Sequence, residues 1–398
     1  MLKINSLDHL GRGIAKLDNK IVFIENALPN EEVEISIIND KKKYLEGKVI
    51  KYISKSLERN NVNCPYYDLC GGCNIMHLNY NDQLKFKENK IKNIVSKYLN
   101  ENIKINNIVK SNQDTFYRNK VTFQVNEKIG LYKKKSYEIV CIDKCIICNK
   151  LINKAIPYLN KLDLKNISKI ICRVANNKLM IILETNNNNI NIDILKDISS
   201  SIYIKNNNEY TLLYGEKYIY ENLGKYKFLI SPDSFFQINV DVCIKLYTKV
   251  KEYIGVNKNV LDLYCGTGTI GIFVNENNNV IGIEINKYAI NDANNNKEIN
   301  NINNINFICN DSGKATKSIN FNPDTIIVDP PRNGLNKETI NNILQINPQM
   351  IIYISCDPMT LVRDLKILNN QYNIIEITPF DMFPNTYHCE TICVLERK

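Results

Sequence analysis

From about residue 216 the chain repeats one arrangement: an apolar run of strand length, a turn, then a helical segment. That alternation restricts the fold more than any other feature, because it predicts a doubly wound α/β domain. The runs are "NVLDLYCGTGTIGIF", "VIGIEI", "TIIVDPP", "MIIYISC" and "NIIEITPF". In an open parallel sheet the carboxyl ends of the strands border the ligand crevice. The run "MIIYISC" ends at Cys356, and Asp-Pro follows at once. Cys356 is therefore either a nucleophile facing a bound molecule or a small buried residue of a type common in cores.

The first run carries Asp262 inside the strand and Gly266 and Gly268 at the turn into the next helix. Glycines there let the backbone approach a ligand closely. "VIGIEIN" ends in Glu284, placed to accept hydrogen bonds from two ribose hydroxyls, and Asp311 after "NFICN" is expected near an adenine. The pyrophosphate spacing GxGxxG is absent, which favours S-adenosylmethionine over NAD.

In order along this region, "SPDSFFQIN", "VLDLYCGTGTIGI", "IIVDPPRNGL", "YISCDPMTLVRDL" and "HCETICVLER" resemble the successive motifs of the RNA 5-methyluridine methyltransferases. The resemblance implies that Cys356 is the nucleophile and Glu390 the general base. It further implies that Gln237, Tyr264, Glu284, Asp311 and Asp329 contact S-adenosylmethionine or the uracil. The chemistry accounts for these residue types. Carbon 5 of uracil is a poor nucleophile until a thiolate adds at carbon 6, and a carboxylate must later remove the carbon 5 proton. A hairpin between "NIIEITPF" and "TICVLERK" would bring Glu390 to the sheet edge where Cys356 ends its strand. "VDPPR" carries no second cysteine, unlike the 5-methylcytidine enzymes, and Arg332 is a candidate for an RNA phosphate or a carboxylate of the fold.

Thirteen cysteines are many for a chain without a signal-peptide pattern, and the odd number argues against a closed disulfide framework. "CPYYDLCGGCNIMHL" places Cys64, Cys70 and Cys73 at C-x5-C-x2-C, with Gly71-Gly72 permitting a tight wrap around a metal centre. A fourth ligand has candidates in Cys141, Cys145 and Cys148. Resemblance to cluster-bearing members of the same family selects Cys145 and implies a [4Fe-4S] cluster; zinc on the same thiolates is the alternative. Residues 1–57 alternate apolar and polar positions between turn signals, which predicts a small antiparallel barrel. "GRGIAKLDNKIVFIENALPNEEVEI" resembles the TRAM module, an OB-like barrel that commonly binds RNA, and "YRNKVTFQV" resembles the family's middle region.

The expected organisation is thus a TRAM barrel at 1–57, an iron-sulfur-bearing α+β middle domain at 58–215 and a Rossmann-like methyltransferase domain at 216–398. The formal charge of +9 fits a polyanionic partner. The resemblance points to 23S rRNA, with the T-loop uridine of tRNA as the alternative substrate. A non-catalytic RNA-binding iron-sulfur protein and a methyltransferase acting on a small molecule or protein are the competing readings. No window reaches the apolar length of a membrane span, so a cytoplasmic monomer is expected.

Overall fold

Turn residues divide the first 54 positions into six short strands: Leu2–Lys3, Ser6–Leu7, Gly13–Leu17, Lys20–Glu25, Glu32–Asp40 and Tyr44–Ser54. Asp18 and Asn19, with φ of 46° and 67°, make the two-residue turn whose twist suits a hairpin. The strands form one sheet around Ile4, Val22, Ile24 and Val33, all essentially inaccessible to water. One pairing departs from the antiparallel expectation: Lys20–Glu25 runs parallel to Tyr44–Ser54. The chain reverses twice: Glu32–Asp40 turns back into Tyr44–Ser54, which lies between it and Lys20–Glu25, in a hairpin that carries three register shifts. Bulges of this kind bend and twist a strand pair.

The computed structural model describes residues 1–99, 102–187, 189–315 and 321–398, and the chain divides into two units. The first comprises 1–90, 131–140 and 383–388. Here Gln83, on the helix Tyr80–Leu99, grips Asn385 through two bonds, its Oε1 accepting from the Asn385 amide at 2.9 Å and its Nε2 donating to Asn385 Oδ1 at 3.1 Å. Lys87 and Lys90 donate to the carbonyls of Phe383 and Tyr387, each at 3.0 Å.

The second unit comprises 91–130, 141–382 and 389–398. Its larger sheet contains β1 (Asn259–Leu263), β2 (Asn279–Glu284), β3 (Ile305–Cys309), β4 (Thr325–Val328), β5 (Met350–Ser355), β6 (Tyr372–Phe380) and β7 (Glu390–Arg397). Their order is β3-β2-β1-β4-β5-β7-β6, with Lys104–Ile105 added beside β6. β1 to β5 pair in parallel, whereas β7 lies antiparallel between β5 and β6. Strands buried on both faces need continuous apolar runs; β5 reads MIIYIS and β4 TIIV. The asparagine-rich stretch "NDANNNKEI" lies within the helix Lys287–Ile299, which inserts Ile290, Ala293 and Asn296 into the interior. Among the described residues no helix is long and apolar enough to cross a membrane.

Two local devices fix the carboxyl ends of β4 and β5. Asp357 caps the helix Pro358–Leu368, its Oδ1 accepting from the amides of Met359 at 2.8 Å and Thr360 at 3.2 Å, with Pro358 in the first turn. On that helix the fully buried Asp364 accepts from Tyr353 Oη and from the Leu335 amide, both at 2.8 Å. Arg363 donates to the carbonyls of Asn333 at 2.9 Å and Leu335 at 3.1 Å. Gly334 (φ 71°) passes so near that a Cβ would stand 2.6 Å from Asp364 Oδ2. The loop after Asp329-Pro330-Pro331 is thereby pinned. Asp364→Ala would leave a buried hydroxyl and amide without an acceptor, a loss of about 3 kcal/mol. A urea titration is expected to show the lowered midpoint with unchanged slope; an unfolding free energy within about 0.5 kcal/mol of wild type would show the pin to be dispensable.

Candidate active site

The antiparallel register of β5 with β7 pairs Ser355 with Thr391. Continued by one residue, it sets Cys356 against Glu390, while β6 pairs Phe380 with Glu390 on the other side. Thr391 Oγ1 donates to the Ser355 carbonyl at 3.0 Å, and Ser355 Oγ donates to the Asp357 carbonyl at 2.9 Å. Cys356 is therefore held between two tethered neighbours, half-buried.

Asp329, one residue beyond β4, and Arg332 complete the group electrostatically. Burial pushes the Cys356 thiol up to about 11; the charge of Glu390 adds to this and the Arg332 guanidinium opposes it. Glu390, 3% exposed, is raised well above the usual carboxylate range by burial, then by Asp329, with Arg332 again opposing. Burial pushes Asp329 up to about 7. Two desolvated carboxyls facing each other do not both ionise readily, so they titrate as a pair.

The turn after β1 is an open cradle. Gly266 (φ 53°) has no heavy atom within 4 Å of the place a Cβ would occupy, and Tyr264 also adopts a positive φ, 64°. Glu284, at the end of β2, accepts from the Gly266 amide at 3.3 Å and from the Asn286 amide at 2.9 Å. Asp262 is fully buried; its Oδ2 accepts from the Gly271 amide at 3.1 Å, while Oδ1 has no partner among the described residues. Burial pushes Asp262 up to about 8, with Asp329 adding to the shift. Tyr264 shares a hydroxyl contact of 3.2 Å with Thr339, and its phenol is raised by burial first and by Asp311 and Glu284 among its neighbours. Asp311 itself accepts from the amides of Gly313 at 2.9 Å and Lys314 at 3.2 Å. Exposed peptide backbone flanked by acidic side chains at strand ends is what a nucleoside with hydroxyl donors requires, so these residues fit S-adenosylmethionine.

Gln237 is buried in the segment leading to the helix Val240–Ile254, whose cap is Asn239. Two residues absent from the sequence reading hold this segment. Asn119 donates its Nδ2 to the Gln237 carbonyl and its amide to the Ile238 carbonyl, both at 3.0 Å. Arg173, 3% exposed, donates to the carbonyls of Ser231 at 2.9 Å and Ser234 at 2.6 Å. Its one signal in the sequence is an arginine inside the apolar strand "IICRVA".

The cysteines predicted to hold metal are distributed over both units. Cys64, Cys70 and Cys73 are half-buried in the first, where the Gly72 amide donates to Cys70 Sγ at 3.4 Å. Cys145 is half-buried in the second, its amide donating to Asn153 Oδ1 at 2.7 Å. Among the described residues no three His, Cys, Asp or Glu side chains stand together as a metal site. The soft thiol donors suit iron-sulfur chemistry, but their positions alone do not form the centre. Cys141 is exposed and Cys148 buried.

A doubly wound sheet with an inserted antiparallel seventh strand, an open glycine turn and acidic strand ends defines an S-adenosylmethionine-dependent methyltransferase, here joined to a TRAM domain matched over residues 2–50. The tRNA (Uracil-5-)-methyltransferase family profile matches residues 79–398. An uncharacterized RNA methyltransferase of Clostridium acetobutylicum is 36% identical over 99% of this chain and 96% of its own length. One from Caldanaerobacter subterraneus is 35% identical over 99% and 97%. The crystal structure of Pyrococcus abyssi tRNA (uracil-54, C5)-methyltransferase with S-adenosyl-L-homocysteine superposes with a TM-score of 0.84 at 29% identity, covering 99% of both chains. The chain belongs to the tRNA (uracil-5-)-methyltransferase family and is an S-adenosylmethionine-dependent RNA (uracil-5-)-methyltransferase.

A thiol raised to about 11 leaves on the order of a hundredth of the thiolate that an ordinary cysteine holds at neutral pH. Iodoacetamide labelling of Cys356 in the RNA-free protein, followed by peptide mass spectrometry, is expected to be slow at pH 7 and to accelerate through pH 10 without levelling. A rate that levels near pH 8 would contradict the suppressed thiol.

Proposed function

We propose that the protein methylates carbon 5 of a uridine in 23S rRNA through a transient covalent bond between Cys356 and the uracil, with Glu390 as the base. The observation that carries this reading is the register of β5 with β7, which sets the thiol against a buried carboxylate at a crevice edge. Cys356 gives its proton to solvent water as sulfur bonds to carbon 6, and the displaced electron pair makes carbon 5 nucleophilic. Gln237, Tyr264, Glu284 and Asp311 would hold S-adenosylmethionine, whose sulfonium would give its methyl group to carbon 5 and leave as the neutral thioether S-adenosylhomocysteine. Glu390 then takes the carbon 5 proton, the electrons re-form the ring double bond, and the Cys356 sulfur leaves. Asp329 hydrogen-bonds the uracil edge.

The family resemblance of the cysteine set supports rRNA. A tRNA substrate is the second reading, favoured by the similarity to the Pyrococcus abyssi tRNA enzyme. The same resemblance assigns a [4Fe-4S] cluster to Cys64, Cys70, Cys73 and Cys145. The thiol set, the Gly72 amide on Cys70 and the permissive Gly71-Gly72 turn support it. No reaction step runs through the cluster.

Three measurements test these assignments. Methylation of 23S rRNA and tRNA transcripts, with the modified base mapped, separates the substrates; label in tRNA alone would overturn the rRNA assignment. Cys356→Ala is expected to form no denaturant-resistant conjugate with RNA, whereas Glu390→Gln accumulates a methylated one above the wild-type level. Normal turnover by Glu390→Gln would remove it as the base. Protein isolated anaerobically is expected to carry iron that Cys73→Ser loses; zinc in its place would refute the cluster.

A further inference from the structure

Within the first unit lies a cavity of about 250 Å³ whose walls come from five stretches remote in sequence. Leu10, Gly11 and Arg12 form one wall; Glu25 with Asn26, Gly71 with Asn74, and Lys134 with Lys135 supply others, and Tyr387 faces them. We propose that this cavity and the loop that walls it bind a nucleotide of single-stranded RNA distinct from the target uridine, its phosphate on Lys134 and its base stacked on Tyr137 of the same loop. The inference rests on the reading that RNA is the substrate and adds to it a site away from the chemistry.

The walls are built before any ligand arrives. Asp8 Oδ1 accepts from the amides of Leu10 at 3.0 Å and Arg12 at 2.8 Å, which fixes the first turn. The Lys134 amide donates to the Leu69 carbonyl at 2.9 Å, and the Gly71 amide to the Tyr132 carbonyl at 2.9 Å. Lys90 stands 5.0 Å from the Tyr387 ring centre.

The charges around the cavity are not equivalent. Arg12 is committed to Asp8 at 2.8 Å and Glu46 at 3.0 Å, and Lys135 to Glu25 at 3.0 Å. Lys134 makes no ion pair among the described residues; its ammonium lies 4.6 Å from the Tyr67 ring centre. Glu25 and Asp68 attract its charge without pairing with it, which leaves its ammonium able to meet a phosphate. On the same loop Tyr137 is 88% exposed and packs edge-on against Tyr132 at 5.6 Å. An exposed aromatic beside lysines is the stacking platform of single-strand sites, and it favours RNA over a free anion.

The test uses a fluorescein-labelled single-stranded RNA oligonucleotide and the full chain, with anisotropy read across a salt series. Tyr137→Ala, which touches no core, is expected to weaken binding about tenfold, the scale of one lost base stack. Lys134→Ala is expected to weaken it and to reduce the slope of log K against log salt by about 0.7, the share of one phosphate on a single strand, with Lys134→Arg restoring both. Wild-type affinity and slope in both Tyr137→Ala and Lys134→Ala would overturn the proposal. Absence of carbon 5 methylation would refute the proposed reaction yet leave these binding differences intact, so the two failures are separable.

Discussion

The arrangement of the candidate site depends on one backbone constraint, the insertion of an antiparallel strand between β5 and β6. Parallel strands all present their carboxyl ends to the same crevice, so a parallel neighbour would bring the end of its strand to Cys356. The reversed β7 brings its beginning instead, and the residue that begins it is Glu390. Because side chains alternate between faces, slipping this register by one residue would send Glu390 to the opposite face. The bond from Thr391 Oγ1 to the Ser355 carbonyl, at 3.0 Å, forms only in this register and resists such a slip.

Burial of this edge sets the electrostatics. Asp262, Asp329 and Glu390 are three acidic groups whose charged forms are all disfavoured, chiefly by desolvation. Their mutual repulsion adds to the effect, and Arg332 is the cation that relieves it at Cys356 and Glu390. Such surroundings favour the protonated thiol of Cys356 and the neutral forms of Asp262 and Glu390. Such a site is quiet until something changes the solvation or the charge around it.

The support around the site is built from side chains that bond to backbone. Asp364, Arg363, Asn119 and Arg173 each reach backbone amides or carbonyls of segments carrying Asp329 or Gln237. These bonds are specific to conformation and tolerant of the side chains they hold in place. Burying the charged arginine carries a solvation cost, which shows in its depressed basicity, lowered to about 10.

The sequence by itself determined the strand runs of the sheet, the glycine turn after β1 and the hairpin of β6 with β7, because each is a matter of local periodicity and turn chemistry. It also exposed Cys356 and Glu390 as chemically distinctive residues at run ends. The parallel pairing inside the amino-terminal sheet was not legible, since it is decided by strand order, with Tyr44–Ser54 seated between Glu32–Asp40 and Lys20–Glu25. Nor were Asn119 and Arg173, whose partners lie 118 and 61 residues away and leave no periodic trace. Only the tertiary structure decided which acids share a desolvated space. Proton affinity depends on the surroundings that distant segments bring together, and a residue's identity alone does not contain them.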